Sequence, residues 1–420
     1  MDKQGKKALV PRLRFPEFRA KERWGSEFGN MIFDQISNKD HKSDLPVLAI
    51  TQEQGAVPRE MIDYHVSVTD KSLESYKVVE VGDFIISLRS FQGGIEFSRY
   101  RGICSPAYVV LRLRHNHSED YFRHYLKTER FIAQMTKNLE GLRDGKMISY
   151  KQFSELELPI PPRNEQQKIA DCLTSLDEVI AAENQKLETL KTYKKGLMQQ
   201  LFPREGETVP RLRFPEFCNT PEWEICPFDH FVTKSFYGTS SSTSETGQYP
   251  VLRMGNMIDG GLSFSNLAYL DLDPESFESI RLLPGDILLN RTNSLALVGK
   301  VSLFDREIDC ITASYIVTYR LDKERINPLF CNFMLNTPRN QVAINALARP
   351  SVSQANINPT TFRKELVVSV PMLAEQQKIA DCLSSLDDLI SAQAQKIDAL
   401  KTHKKGLMQQ LFPVLDEVSA

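Results

Sequence analysis

Two short patterns in the sequence have residue types suited to metal binding or catalysis. His115 and His117 lie two residues apart in RHNHSED, a spacing found in metal sites, and Asp144-Gly145-Lys146 is a D-x-K triple of the kind nucleases use. The triple lacks the upstream acid that a nuclease site needs, and the histidines lie in a polar stretch typical of a turn. We therefore predict a polar turn at the histidines, no metal site and no catalytic residue in this chain.

A second group of polar residues is suited to hydrogen-bonding the edges of nucleic-acid bases. Arg and Lys match guanine, Asn and Gln match adenine, and such side chains must lie on exposed loops after strands. Three pairs of loops carry them; any single one of these residues could instead be an ordinary solvated loop residue. The residues that we single out are Arg59, Arg89, Ser90, Gln92, Arg143, Lys146, Arg253, Asn290, Arg291, Asn293, Gln354 and Asn356, with Gln52, Glu53, Asp144, Asn256, Thr292 and Ser353 beside them.

Composition limits the class of protein. The 420 residues, 41% hydrophobic and 25% charged, are typical of a globular chain of two or more domains. The seven cysteines form no CxxC pair, which favours a reducing compartment over a disulfide framework or a zinc site. Without a signal peptide or an apolar run of roughly 18 residues, we expect a cytoplasmic protein that does not enter the membrane.

Charge gives no general indication of a nucleic-acid partner. The net charge is −2, with 26 Lys and Arg against 22 Asp and Glu in residues 1–164 and 16 against 19 in residues 204–374. Any surface that binds phosphates must therefore be local.

The elements that carry the polar loops belong to an internal repeat. The segment from Glu165 to Pro203 returns from Glu375 to Pro413 with 29 of 39 positions identical. The nine residues VPRLRFPEF occur at 10–18 and again at 209–217. The inserts between these segments have diverged, but each keeps a Gly-Asp turn before an apolar run, VGDFIISLR and PGDILLNR. We interpret each insert as a mixed α/β domain.

The long repeated segments are predicted to be coiled-coil helices. Their apolar residues alternate at spacings of four and three, neither contains an internal proline, and Pro203 and Pro413 follow their ends. A helix with one apolar stripe is unstable alone, so we expect the two copies to pack together. The seam that this predicts contains Leu173, Leu176, Ile180, Leu187, Leu190, Leu383, Leu386, Ile390, Ile397 and Leu400.

Charge favours an antiparallel pair. Lys194 and Lys404 occupy equivalent seam positions and would lie side by side in a parallel pair. The first half of each copy is acidic and the last third is basic, so antiparallel packing places opposite charges together and also suits the helix dipoles. The order of the repeats further predicts that residues 10–18 dock near the end of the second helix. In that segment Arg12 and Arg14 could contact phosphates, but we favour a structural brace.

With these motifs in place, the chain resembles the specificity subunit of type I restriction-modification enzymes. The resemblance covers essentially the whole chain and depends on two strand-rich inserts, each followed by a long segment that begins EQQKIADCL and ends KKGLMQQLFP. It implies an α/β (α+β) fold with two target-recognition domains separated by an antiparallel pair of long helices, related by a pseudo-two-fold repeat. We set the bounds at 1–18 (N-terminal motif), 19–164 (first domain), 165–203 (first helix), 204–374 (second domain), 375–413 (second helix) and 414–420 (tail).

The resemblance also implies the function and the partners. Each domain would read one half of a split double-stranded DNA target in the major groove, while the helices dock two modification subunits and the complex also takes up restriction subunits. S-adenosylmethionine, ATP and Mg²⁺ would bind to those partner subunits and none to this chain. Unlike inserts predict unlike half-sites, hence an asymmetric target. Two alternatives remain open: a coiled-coil scaffold that binds only protein, and a self-contained DNA methyltransferase or nuclease. Against an enzyme, the sequence has no Gly-rich cofactor loop, no Asn-Pro-Pro or Asp-Pro-Pro aromatic motif and no GxxxxGK.

Overall fold

The computed structural model describes residues 9–42, 44–62, 73–137, 148–295, 297–350 and 354–413. The chain divides into two compact units, one formed by residues 1–184 with 395–420 and the other by residues 185–394. Each unit combines strands and short helices with one half of each of two long helices. Within the described ranges, no helix has both the length and the apolar character that a membrane span needs.

The first unit is built mostly from short antiparallel strands. Its strands are β1 (Gly25–Phe28), β2 (Phe33–Ile36), β3 (Leu48–Thr51), β4 (Gly55–Pro58), β5 (Lys77–Val79), β6 (Phe84–Ile86), β7 (Glu96–Phe97), β8 (Gly102–Cys104), β9 (Val109–Leu113) and β10 (Glu157–Ile160). Its short helices are α1 (Gly29–Ile32), α2 (Ser90–Gly93), α3 (Glu119–Tyr125), α4 (Glu129–Lys137) and α5 (Tyr150–Ser154). The central sheet has the order β2-β9-β6-β7. The long helix α6 (Arg163–Leu201) follows β10 directly.

The second unit repeats this plan with additional strands. Its strands are β11 (Glu224–Pro227), β12 (Val232–Tyr237), β13 (Tyr249–Leu252), β14 (Met257–Ile258), β15 (Gly261–Leu262), β16 (Ala268–Leu270), β17 (Asp286–Asn290), β18 (Thr292–Asn293), β19 (Val301–Phe304), β20 (Ile311–Thr312), β21 (Ile316–Leu321), β22 (Ala348–Pro350), β23 (Ala355–Ile357) and β24 (Val367–Val370). Its helices are α7 (Pro274–Ile280), α8 (Pro328–Leu335), α9 (Pro338–Ala346) and α10 (Pro359–Glu365), followed by the long helix α11 (Leu373–Leu411). The central sheet, β12-β21-β17-β19, has the same order as in the first unit.

The Gly-Asp turn before the buried central strand has the same construction in both units. Gly82 and Gly285 have φ angles of 95° and 100°, which L side chains rarely adopt. The aspartates that follow, Asp83 and Asp286, are each 1% exposed, and each carboxylate receives two hydrogen bonds from an arginine of the neighbouring strand. The turn therefore starts β6 and β17 and anchors each of them to the adjacent strand.

The predicted long helices are confirmed, and both span 39 residues. Their predicted seam residues face inward: Leu173, Leu383 and Ile397 are buried, and the other seven are half-buried. In the first unit Leu173 belongs to the same apolar cluster as Leu411 of α11, and in the second unit Leu383 belongs to the cluster of Leu201. The apolar stripe of each helix is thus covered partly by its neighbour and partly by a domain core.

The antiparallel arrangement is also confirmed, and within each unit by itself. In the first unit Lys404 of α11 pairs with Asp177 of α6, and Lys396 pairs with Glu183 further along α6. The residue numbers of the partners on α11 fall as those on α6 rise, so the two helix halves run in opposite directions. In the second unit Lys194 Nζ lies 2.6 Å from the Asp387 carboxylate. The seam lysines are thus neutralised by acids of the other copy.

The repeated nonapeptide closes each unit by docking on the end of a long helix. The backbone N–H of Leu13 donates to the carbonyl of Gln410, and that of Leu212 donates to the carbonyl of Gln200, both at 3.0 Å. The predicted docking of residues 10–18 near the end of the second helix is therefore confirmed. Arg14 is 7% exposed and forms a two-bond pair with Glu165, so it acts as a brace, as we favoured.

Candidate nucleic-acid interface

In the second unit, two of the predicted loop sets meet in one small sheet. The chain leaves the buried strand β17 and forms β18 at once, which pairs antiparallel with β23, so that Thr292 lies opposite Asn356 and Asn293 opposite Ala355. Strand β22 pairs with the other side of β23. Residues about 60 positions apart in the sequence therefore share one surface. Of these, Gln354 and Asn356 are exposed.

Arg291 directly precedes the edge strand β18 of this sheet, and its guanidinium group is held by two contacts. Its Nη1 donates to Asn356 Oδ1 at 2.9 Å, and the same oxygen accepts from Thr292 Oγ1 at 3.1 Å. The guanidinium carbon lies 5.1 Å from the centre of the Tyr237 ring. Stacking on an aromatic ring and a hydrogen bond in the guanidinium plane together fix the position of an arginine. We refer to Arg291, Asn356, Thr292 and Tyr237 as the arginine cradle.

The third predicted loop set borders the cradle. Asn293 Nδ2 lies 3.2 Å from the Met254 sulfur, which joins the loop after β13 to β18. The exposed Arg253 donates to the Asn266 carbonyl at 3.0 Å. Asn256 is only 5% exposed, and its amide donates to the backbone carbonyls of Ser263 and Ser265, which follow β15. Asn256 therefore shapes the loop, while Arg253 remains on the surface.

Two of the predicted contact residues are buried, so our expectation that they lie exposed was wrong. Asn290 has no exposed surface, because it ends the central strand β17, and its amide points to the Leu297 carbonyl. Ser90 is 1% exposed, and its hydroxyl oxygen accepts a hydrogen bond from the Ser87 backbone N–H. Both side chains satisfy the chain's own polar groups at the strand end. We remove them from the proposed contact set.

In the first unit, Arg89 and Gln92 are exposed at the start of α2, as predicted. The amide of Gln52 donates to the Arg89 carbonyl at 3.4 Å, so the first and third loop sets meet here as well. Arg59 begins a 3-10 turn (Arg59–Met61) and is half-buried. The predicted residues Arg143 and Lys146, with Asp144 beside them, and Ser353 of the second unit lie outside the described residues.

A tyrosine that sequence reasoning missed lies at the equivalent position of each surface. Tyr108 and Tyr315 precede the central strands β9 and β21. Burial raises the pKa of both phenols, while the nearby positive charges of Arg59 and Arg89 act in the opposite direction on the pKa of Tyr108 and that of Arg253 acts so on Tyr315. The charge of at least one predicted loop arginine therefore acts on this tyrosine in each unit. The similarity of SPAYVV (105–110) to TASYIV (312–317) could have identified these two tyrosines as equivalent from the sequence.

Two further residues of the second surface were missed. Tyr237 ends β12 and is 49% exposed, and Arg349 of β22 is exposed directly opposite Asn356 in the strand register. Arg349 lies between the helix α9 and the polar stretch Ser353–Asn356 that we singled out in the sequence.

The histidine pattern has a packing role. His117 is half-buried with its ring edge-on to Phe122 at 5.8 Å between centroids, and burial lowers its pKa. Within the described ranges, no group of three or more His, Cys, Asp or Glu side chains is arranged to hold a metal ion.

Comparison with known proteins then assigns the family. The model of the type I restriction modification DNA specificity domain matches residues 28–192 and again 224–402, one match for each copy of the repeat. The chain belongs to this type I DNA specificity family. The resemblance predicted from the helix motif is confirmed, and the function is that of a DNA specificity subunit, which recognises the DNA target, rather than that of a protein scaffold or a self-contained enzyme.

Relatives in the family are distant in sequence. The chain is 25% identical over 356 residues to the type I restriction enzyme MjaVIII specificity subunit of Methanocaldococcus jannaschii, covering 83% of this chain and 81% of that one. It is 30% identical over 194 residues to the putative MjaX specificity subunit of the same organism, covering 46% of this chain and 45% of that one. With the EcoKI specificity subunit of Escherichia coli it shares 24% identity over 269 residues, 59% of this chain and 56% of that one.

Solved structures of the family share the fold. The S subunit of a type I restriction-modification system from M. genitalium aligns with a TM-score of 0.54 and 14% identity over 96% of this chain and 99% of that one. A chain solved in work on complex assembly and conformational transition of the type I R-M system aligns with a TM-score of 0.57 and 14% identity, over 93% of this chain and 97% of that one. The predicted fold class is confirmed.

Proposed function

We propose that this chain directs DNA methylation and restriction by a type I complex to an asymmetric target made of two separate half-sites. One observation carries the proposal. The two units share the same central sheet and Gly-Asp turn, but they present different polar residues on the equivalent surfaces. The first surface offers Arg59, Arg89 and Gln92. The second offers Arg253, Arg291, Asn293, Gln354 and Asn356. Side chains of different hydrogen-bonding pattern select different bases, so the two half-sites differ.

The same proposal assigns the chemistry to partner subunits. Two modification subunits that bind S-adenosylmethionine would methylate adenine, and restriction subunits would use ATP and Mg²⁺ to cut DNA. The long helices support docking of two copies of one partner, because they present matching apolar residues at the same repeat position: Val179 is 45% exposed and Leu389 is 55% exposed. A single exposed apolar residue is common on protein surfaces, so the support comes from its recurrence at the same position of both helices.

The test is to identify the methylated sequence directly. We would express the chain with its modification subunits in a host free of adenine methylation and sequence the genomic DNA for methyladenine. We expect one motif with two unlike specified parts and an unspecified spacer between them. A palindromic motif, or methylation spread without sequence preference, would contradict the proposal. Methylation by this chain without the modification subunits would instead reveal an enzyme.

A second experiment separates the two surfaces. Exchanging Arg89 and Gln92 for alanine should change the specified bases of one half-site and leave the other half-site unchanged. The matched exchange of Arg253 and Gln354 in the second unit should do the reverse. If either pair of substitutions changed both half-sites, the assignment of one half-site to each unit would be wrong.

A further inference from the structure

The guanidinium group of Arg291 is fixed before any DNA arrives. An unrestrained arginine loses about 2 kcal/mol of side-chain entropy when it is ordered, and a side chain that is already ordered loses less on binding. Here the ring of Tyr237 (5.1 Å) and the Asn356 oxygen (2.9 Å) restrain the group, and Nε is buried without a hydrogen-bond partner among the described residues. The side chain as a whole is half-buried, and the terminal nitrogen Nη2 has no hydrogen-bond partner within the ranges that the structure describes, so it is available to a ligand.

The same contacts determine which way the Asn356 amide faces. Because a guanidinium group can only donate hydrogen bonds, the atom of Asn356 that meets Arg291 Nη1 must be the oxygen. That oxygen also receives the Thr292 hydroxyl at 3.1 Å. An asparagine that reads adenine needs its oxygen to accept from the adenine amino group. With the oxygen engaged by two donors of the protein, Asn356 does not read adenine in this arrangement, and the general match of Asn to adenine does not hold for it.

We infer that Arg291 reads a guanine in the half-site bound by the second unit, with Asn356 and Tyr237 as positioning residues. This inference depends on the proposed function and adds the identity of one base. Among the described residues, none hydrogen-bonds to Nη2, so Nη2 and the second Nη1 hydrogen form a fork of two donors. Guanine is the base that presents two acceptors, O6 and N7, on its major-groove edge. A phosphate can also accept two hydrogen bonds from such a fork, but a phosphate contact would carry no base preference, and this difference is what the experiment below measures.

Arg349 provides the matched control. It is an exposed arginine on β22, across one strand from the cradle and opposite Asn356 in the register, but outside the ring and amide contacts that hold Arg291. An exposed arginine beside a base-reading residue is placed to meet the DNA backbone. Such a contact should lower affinity for all sequences together and reduce the dependence of binding on salt.

The experiment selects bound duplexes from a randomised library with the complex of this chain and its modification subunits. For the unaltered chain we expect a G·C pair at one position of the second half-site. R291A should reduce discrimination at that position by roughly 5- to 150-fold. The other specified positions of the second half-site should stay unchanged, which also shows that the second unit of the variant is folded. N356A and Y237L should weaken discrimination at the same position and at no other. R349A should weaken all sequences equally.

Modified bases test the contact itself. Replacing the guanine by 7-deazaguanine removes the N7 acceptor, and we expect the unaltered chain to lose affinity while R291A is nearly insensitive to the change. The inference is overturned if R291A weakens all sequences equally, if the altered position is not a G·C pair, or if N356A alters a different position. Failure of the proposed function would look different, since the unaltered chain would then select no half-site at all.

Discussion

At the scale of single residues, two buried ion pairs hold the nonapeptides in place. The side chains of Arg14 and Glu165 are 6% and 1% exposed, and those of Arg213 and Glu375 in the second unit are 8% and 1% exposed. Removing one partner of such a pair leaves a buried charge without compensation, which costs about 3–5 kcal/mol. The pairs are therefore far more important to stability than the ion pairs on the surface, whose contribution is screened by solvent.

We predict that E165A destabilises the first unit by about 3–5 kcal/mol and leaves the second unit nearly unchanged. The chain offers a direct measurement, because its two tryptophans are divided between the units: Trp24 is buried in the first and Trp223 in the second. Urea unfolding would be followed by fluorescence with Trp24 alone, in a W223F background. D34A, which removes the exposed pair of Asp34 with Arg114, serves as the control and should have a much smaller effect. Equal midpoints for the two variants would contradict the prediction.

His124 makes the stability of the first unit depend on pH. The ring is 3% exposed, and burial together with the nearby Lys404 and Arg123 lowers its pKa to about 3. In the unfolded chain the pKa returns to about 6.5, so that state binds a proton that the folded state excludes. Stability from this residue is complete above about pH 6.5 and falls as the pH decreases toward 3, by up to about 1.4 kcal/mol for each pH unit.

The second unit suggests the substitution that tests this. Phe333 occupies the sixth position after its helix cap, as His124 does after Ser118, and it packs beside the matching seam lysine, Lys194. We expect H124F to reduce the pH dependence of the Trp24 unfolding midpoint between about pH 7 and pH 5. An unchanged slope in H124F would show that other groups cause the dependence.

Sequence reasoning at this scale succeeded where the residue belongs to a segment that is repeated without change. The repeated Arg in VPRLRFPEF was assigned correctly to a brace. The prediction that Ser90 and Asn290 are exposed base-contacting residues was wrong. A polar side chain at the end of a strand can hydrogen-bond to the chain's own backbone as well as to a base. The structure shows which role each side chain has, because it places the backbone of Ser87 beside Ser90 and that of Leu297 beside Asn290.

At the scale of elements, the long helices contain a glycine at the same position, Gly196 and Gly406. A Cβ atom added at either one would meet nothing within 4 Å. Since glycine inside a helix costs about 1 kcal/mol relative to alanine, we predict that G406A stabilises the first unit by up to that amount. G94A is the contrasting control, because Gly94 has a φ of 81° and its Cβ would lie 2.2 Å from the Leu126 carbonyl oxygen.

The measurement for G406A is again the urea midpoint reported by Trp24. The equivalent substitution in the second unit, G196A, should instead raise the midpoint reported by Trp223. G406A should raise the midpoint and G94A should lower it. A lower midpoint for G406A would show that the helix does not keep its regular conformation at this residue.

The elements differ in how far the sequence predicts them. The heptad pattern was sufficient for both long helices and their direction, because spacing and charge are local properties. The small sheet of β22, β18 and β23 was expected only as polar loops. Its two-residue strand β18 pairs with residues more than 60 positions away, and such short pairings leave no periodic signal.

At the scale of the whole molecule, each long helix passes from one unit to the other, near Asn184 in α6 and near Ala394 in α11. We predict that seven extra residues inserted at both points lengthen the spacer of the DNA target by about three base pairs. Seven residues keep the apolar seam in register and add roughly 10 Å to a helix. Methyladenine sequencing would report both half-sites unchanged. Altered half-site bases with an unchanged spacer would exclude the helices as the element that sets the spacing.

Residues 9–18 and residues 407–412 pack together in the first unit. This packing determines the order in which the two units complete their folding. The second unit is one continuous stretch, residues 185–394, and can fold as it leaves the ribosome. The core of the first unit contains Phe412, which packs against Tyr121 and Tyr125, so it stays incomplete until residue 412 has been made. At about 5–20 residues per second, this leaves the first unit waiting roughly 11–46 s for residue 412. The first unit, whose synthesis begins first, is therefore the unit that completes its folding last.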